Sequence, residues 1–483
     1  MYLRNKGSWK KIEGRAWALA LALGCSGCAS LPSLERPQAL TPPSGYETAA
    51  SLAGGGIDWP SDRWWEGYGD PQLSRLIDEA LRDQPDLAAA SARLRQAEAY
   101  RTVAGSALAP QLSASAAVNY QTLSYNYLTP KNQTPNGWND YGIGTLNLDW
   151  EIDFWGKNRA RLAAAGLEVA AGRAELAQAR LSVAAAVADA YVELARLFVQ
   201  HDIVARSVEV RKKGVELFAA RFENGLENRG GVSQAKARLA AVEGELLAVE
   251  EGIGLQRHRI AALVGAGPDR GLSIARPVIK LASAPGLPAE LAANLLGRRP
   301  DVIAARLLAE AQAQQIEGAK AEFYPNVNLS AFFGFQSLSL DMLARRSSTI
   351  GGVGPAFYLP IFTAGRLKGE LRATAAAYDA AVAGYNGAVT RALQEVADVG
   401  LSRKALSGEL VKGETAAASA GEAHRVASEC YRGELATYLE VLYAEDVLLD
   451  VQRSLANLQS RALTLDVALK RVLGGGYLNK EGN

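Results

Sequence analysis

Two long proline-free stretches, each entered from a pair of short alternating segments, constrain this chain more than any other feature. No proline occurs between Trp155 and Gly267, and none follows Pro360. Residues 157–223 and 366–432 each give 67 uninterrupted positions. At the α-helical rise, a helix of that length runs roughly 100 Å. Both stretches are alanine-rich, with Leu and Val on more than one face, as in LAAAGLEVAAGRAELAQARL. A helix held between two neighbours needs small residues on two sides, and knobs-into-holes packing of such helices closes a ring. An ordinary long coiled coil has the same period, so periodicity leaves both arrangements open. Glycine-containing turns at Gly225 to Gly231 and at Arg432-Gly433-Glu434 return each stretch into a shorter helix. These end at Leu263-Val264-Gly265 and at Leu473 to Gly476.

The two halves repeat one another. Pro85-Asp86-Leu87, with Pro110 beyond it, matches Pro300-Asp301-Val302, with Pro325 beyond it, at an offset of 215. Gly156-Lys157 matches Gly365-Arg366, and Val187-Ala188-Asp189 matches Val396-Ala397-Asp398, at an offset of 209. One supersecondary unit used twice is the simplest account. The expected order in each copy is helix, two strands, then long helices. The boundaries follow as a targeting segment over 1–27, an extended segment over 28–70 and a first repeat over 71–265. A linker with the start of the second repeat occupies 266–299, the second repeat 300–477, and a tail 478–483.

Beyond the N-terminus no apolar run approaches the ~20 residues of a spanning helix, so a membrane crossing would have to be made by strands. Four segments alternate apolar and polar at period two, over 112–120, 146–154, 326–335 and 353–361. In the second, Leu146, Leu148, Trp150, Ile152 and Phe154 oppose Asn147, Asp149, Glu151 and Asp153. Strict alternation marks a strand with one apolar face, and about nine residues suit a tilted membrane strand. Apolar-out and polar-in is the pattern of an outer-membrane barrel. Asn147, Asp149, Glu151 and Asp153 are therefore expected to line a lumen. Repeated around a pore, that acidic strip would favour cations. Four strands cannot close a spanning barrel, which has at least about eight, so several chains must share one; three would supply about 12.

The first residues read as a targeting signal. Arg4, Lys6, Lys10, Lys11 and Arg15 precede the short apolar run from Ala16 to Gly24. This is too short for an anchor and fits a secretory signal. Ser26-Gly27-Cys28 resembles a bacterial lipobox, so Cys28 is the preferred lipidation site, with Cys25 competing. Ala29 lacks the Asp that commonly retains lipoproteins in the inner membrane, and outer-membrane sorting is expected. Of the three cysteines only Cys430 remains elsewhere, which leaves no disulfide framework.

Other functions are poorly supported. The net charge of +1, from 52 basic and 51 acidic residues, argues against nucleic-acid binding. His201, His258 and His424 lack metal-ligand spacing, and no phosphate-binding loop or nucleophile elbow occurs. The glycines of GAGPDRG, Gly265 to Gly271, fit a linker. No enzyme activity is expected, and no cofactor beyond the covalent lipid on Cys28. The rival readings are a non-pore coiled-coil lipoprotein scaffold and a secreted enzyme on a helical fold.

Several motifs together resemble the TolC-like outer-membrane efflux proteins, nearest the NodT-type lipoproteins. They are CASLPSLERP from Cys28, WWEGYGDPQL from Trp64, GLPAEL from Gly286 with RRPDV from Arg298, LPIFTAGR from Leu359 and VLGGGY from Val472. The resemblance implies a mixed α and transmembrane β fold. Three chains would form a 12-stranded β-barrel continued by a 12-helix tunnel, anchored in the cell outer membrane and extending into the periplasm. It implies a homotrimer docked through a periplasmic adaptor onto an inner-membrane pump, with no nucleic acid. It also implies a periplasmic gate at the second-copy turn. There Tyr431 matches the family's aromatic position, with Arg432 beside it, and Tyr438-Leu439 match its Tyr-Leu pair, whereas Glu434 replaces a Gly and Tyr443 an Asp. Glu440 is the expected acidic substitute, paired with Arg432, and Leu439 with Tyr443 the expected plug.

Overall fold

The computed structural model describes residues 38–478 except 43–44, 49, 53–56, 125, 127–130, 280–287, 289–294 and 296. The first copy contains α1 (Pro71–Asp83), α2 (Pro85–Ser106), β1 (Gln111–Gln121), β2 (Asn139–Glu151), α3 (Lys157–Glu223) and α4 (Arg229–Leu263). The second contains α5 (Pro300–Ala321), β3 (Asn326–Ser337), β4 (Thr349–Tyr358), α6 (Arg366–Arg432) and α7 (Tyr438–Val472). The paired helices match in length, with 22 residues in α2 and α5, 67 in α3 and α6, and 35 in α4 and α7. The strand loops occupy 122–138 and 338–348, and their difference of six residues accounts for the drop in offset from 215 to 209.

Strand bounds differ from expectation by one or two residues in the first and third strands, at 111–121 and 326–337, and by more in the other two. The second strand covers 139–151 where alternation suggested 146–154, and the fourth covers 349–358 where it suggested 353–361. Pairing of β1 with β2 continues to Gln121 opposite Asn139, past the point where alternation is clean. At the other ends Asp153 turns to cap α3, and Pro360 has no N–H to extend a ladder.

The chain divides into two compact units. The first comprises described residues 38–39, 95–170 and 306–384, and holds the antiparallel sheet in the order β1-β2-β3-β4. A small core of Ile316, Phe323, Leu367 and Leu371 packs at its helices. The second comprises 40–94, 171–305 and 385–478, and carries the larger cores. There α1 shows how the sequence builds a helix. Asp70 accepts from the Gln72 N–H at 2.8 Å as N-cap, Pro71 takes the first position, and Leu73, Leu76, Ile77 and Ala80 form one buried stripe. That stripe packs with Trp64, Tyr68 and residues of α3 around Tyr191. The buried Asp466 carboxylate is paired, accepting from Tyr68 at 2.8 Å and from Arg403 at 3.0 Å. Among the described residues no helix is long and apolar enough to cross a membrane.

Candidate functional site

The register of the sheet gathers apolar side chains on one face, while the other carries the polar groups together with Ile143, Phe332 and Ile350. Leu112 faces Leu148, Ala331 joins them across β3, and Val353 completes the row on β4. Leu146 with Phe333, and Trp150 with Leu329, lie on that same face. A one-residue slip would exchange the faces, so the register is strongly specified. The opposite face carries linked polar groups. Ser115 meets Thr145 at 2.9 Å, Asn147 donates to Ser115 at 3.1 Å, Ser330 donates to Asp149 at 2.9 Å, and Gln336 donates to Tyr141 at 2.9 Å.

The four residues expected along a lumen separate into two groups. Asn147 and Asp149 lie on this polar face within β2. Glu151 ends the strand and pairs with Lys157 at 2.5 Å. Asp153 lies beyond the strand, where its carboxylate accepts from the backbone N–H groups of Asn158 and Arg159 and pairs with the Arg159 guanidinium at 3.2 Å. From four residues before α3 it caps the first turn of that helix, with a side chain 8% exposed. Alternation placed it on the polar face of a strand, but the helix behind it supplies unpaired N–H groups that attract a carboxylate more strongly. The expected acidic strip is therefore neutralised at its lower end, and of the four only Asp149 keeps a carboxylate without a basic partner.

At the second-copy turn, Tyr438 lies over Gly214 of α3, where any Cβ would meet the phenol. Its ring contacts Phe218 at 4.7 Å and Tyr431 at 5.3 Å between centroids. Glu440 is committed differently from expectation. Its carboxylate accepts from the Thr437 N–H at 3.2 Å and from the Thr437 hydroxyl at 3.0 Å, completing a capping box for α7. No Arg432–Glu440 pair forms among the described residues, because Glu440 at the third helical position points back at the cap. Leu439 and Tyr443 are 61% and 74% exposed, so neither packs in the core of its own chain.

Sequence reasoning missed a charged cluster one to two turns further along α7. Arg211, with a side chain 8% exposed, donates to Asp446 at 2.6 Å and to the Ser207 hydroxyl at 3.2 Å. Arg238 of α4 reaches the other Asp446 oxygen at 3.2 Å. Glu445 is buried 4.0 Å from Arg211, and its Oε1 has no hydrogen-bond partner. Burial pushes its carboxyl above the usual range while Arg211 pulls the other way. The available signal was the acidic pair Glu445-Asp446 inside the apolar run VLYAEDVLL. Cys28 and Cys25 lie outside the described residues. Among the described residues no cluster of His, Cys, Asp and Glu is placed to hold a metal.

A duplicated chain that sets a two-faced sheet between very long helices has the construction of a transport channel. The profile of the outer membrane efflux protein family matches residues 76–266 and 291–475. The fusaric acid resistance protein FusA of Burkholderia cepacia is 35% identical over 361 residues, covering 74% of this chain and 68% of that protein. The multidrug resistance outer membrane protein MdtP of Escherichia coli K12 is 31% identical over 459 residues, 94% of each chain. Among solved structures, the outer membrane protein VceC of Vibrio cholerae is 48% identical with a TM-score of 0.81, covering 86% of this chain and 100% of that one. The chain belongs to the outer membrane efflux protein family, whose members are TolC-like channels. It is an outer-membrane channel component of an efflux system and not an enzyme.

Proposed function

We propose that three copies share one 12-stranded barrel, continued by a 12-helix tunnel through which small molecules pass outward. The observation that carries this is the four-stranded sheet, apolar on one face and polar on the other, whose outer strands β1 and β4 each have one unpaired edge within the chain. Open edges of this kind demand pairing, and a head-to-tail ring of identical chains satisfies every edge at once. Cys28 carries the lipid that tethers the assembly to the outer membrane. A periplasmic adaptor and an inner-membrane pump supply the driving energy, since the chain has no nucleotide-binding motif of its own. The names of the relatives support drug-like organic compounds as cargo. Leu439 and Tyr443, one helical turn apart on one face, form three-fold rings that narrow the inner end.

Mass measurement of the detergent-solubilised protein, with planar-bilayer recording, tests the reading. Three chains per particle and ion conductance are expected, with larger or more frequent openings in Leu439→Ala with Tyr443→Ala. A non-conducting particle of any size would refute it. Mass spectrometry of the mature N-terminus checks the lipid, and an unmodified Cys28 removes the tether.

A further inference from the structure

We infer that the junction between β4 and α6 is a lipid-contacting wedge, in which Ile361 and Phe362 enter the periplasmic leaflet of the outer membrane beside the N-terminal acyl group. This rests on the membrane-inserted sheet proposed above and adds the depth at which that sheet ends.

Comparison of the two copies carries the argument. At the offset of 209, Phe362 stands where the first copy has Asp153. Asp153 is folded inward onto the start of α3 and caps it. Phe362 has no side-chain acceptor to offer the start of α6. Instead it is 88% exposed, and Ile361 beside it is 91% exposed. Each leaves its hydrophobic stabilisation unrealised in water. At 362 the duplicate has a capping carboxylate where this copy exposes a phenyl ring, and at 361 the same isoleucine that is partly buried as Ile152 stands exposed, which points to surroundings other than water.

The neighbouring residues say what those surroundings are. Pairing ends at Tyr358, but in sequence Ile361 keeps the two-residue period of Val353 and Phe357, which lie on the apolar side of the sheet. At the same end the half-exposed Trp155 stacks on Tyr324 at 4.8 Å and donates its indole N–H to the Pro325 carbonyl at 2.8 Å. Amphipathic aromatic rings of this kind settle at membrane–water boundaries. Charges follow within a few residues, in the pairs Lys157–Glu151, Arg161–Glu322 and Arg366–Glu370. The change from apolar to charged is thus confined to one short level of the unit.

Chain length allows an acyl group on Cys28 to reach this level. The Gln38 N–H donates to the Asp379 carboxylate at 3.0 Å. Asp379 is thirteen residues into α6, or about 20 Å from its start. Cys28 precedes Gln38 by ten residues, which extend to at most about 35 Å. An acylated Cys28 therefore reaches the level of Phe362 with slack.

Because β4 is an edge strand, a second copy of the chain is the competing occupant, and collision spectroscopy separates the two. Nitroxide labels are placed singly at cysteines replacing Ile361, Phe362, Leu146 or Lys368, with Cys430→Ser, in the full-length acylated protein in phospholipid vesicles. At 361 and 362, collision with oxygen should exceed collision with a water-soluble nickel chelate several-fold, as at 146, and the order should reverse at 368. Nickel-favoured collisions at 361 and 362 would place the junction in water and overturn the inference. Low collision with both reagents would place it against a second copy and overturn it equally. If 146 also favours nickel, the membrane-inserted sheet itself fails, and the wedge with it.

Discussion

Glu434 holds a left-handed backbone, with φ 59°, at the position where the first copy has Gly225 with φ 73°. The two turns are otherwise alike. Leu226 donates to the Arg221 carbonyl and Leu435 to the Cys430 carbonyl, both at 2.8 Å, as in a Schellman closure. A residue with a Cβ pays about 1–2 kcal/mol in this conformation, partly offset because glycine loses more chain entropy on folding. Glu434→Gly should therefore stabilise the protein by about 0.5–1 kcal/mol, and Gly225→Glu should destabilise it by a similar amount. Thermal unfolding followed by circular dichroism checks both, and a fall in stability for Glu434→Gly would show that its side chain has a partner in the assembly. Asp189 offers a second test. Burial raises its carboxyl to about 6 against the pull of Arg471 and Arg259, and its Oδ1 has no partner. With the folded value above the unfolded one, the native chain binds the proton more tightly. Stability therefore falls as pH rises from about 4 to about 6 and is flat beyond. Asp189→Asn should raise stability by about 2 kcal/mol at pH 7.5, allowing for partial exposure, and the gain should vanish near pH 4. A gain independent of pH would discard the buried charge as its cause.

The long helices were readable because proline removes a hydrogen bond and an alanine-rich run without it has few reasons to stop. Their bounds of Lys157–Glu223 and Arg366–Arg432 coincide with the sequence reading. The strands were readable in kind but not in extent, since alternation says nothing of how far pairing runs past clean periodicity, as between Gln121 and Asn139. Asp153 and Glu440 were misread for one shared reason. Both carboxylates sit beside a helix start, and a local cap competes with any distant role. The acidic pair Glu445-Asp446 was a sequence signal, but the Arg211–Asp446–Arg238 cluster could not be assembled from it, because its members come from three helices that only tertiary packing joins. It ties α7 to both α3 and α4 near the second-copy turn. Asp446→Ala leaves Arg211 buried without its short partner and should cost about 1–3 kcal/mol, less than a fully enclosed pair because Asp446 is half exposed. Arg211→Met removes the charge itself and should cost less. Equal losses in the two variants, read from their melting midpoints, would mean that packing of the arginine stem outweighs its charge.

At the scale of the whole molecule, the formal net charge of +1 provides almost no long-range field to sort ions. Selectivity must come from charges fixed on the conducting face. Glu151 and Asp153 are each held by a cation of the same chain, Lys157 and Arg159, so their fields largely cancel at a distance. Asp149 lies in mid-face and accepts from the Ser330 hydroxyl, with no basic partner among the described residues. In the three-chain barrel proposed above it recurs as a ring. A single charge about 8 Å from a passing ion in water is worth about 0.5 kcal/mol, a factor of about two in local ion concentration. Asp149→Asn should lower the potassium-over-chloride permeability ratio by about two-fold or more, read from reversal potentials across a salt gradient in planar bilayers. Glu151→Gln and Asp153→Asn should leave that ratio nearly unchanged while lowering thermal stability, since each breaks a pair at the start of α3. If the ratio instead falls in all three variants alike, the pairs do not screen and the whole strip faces the ions. If it falls in none, the polar face of β2 is not the conducting face, and the orientation of the sheet must be reversed.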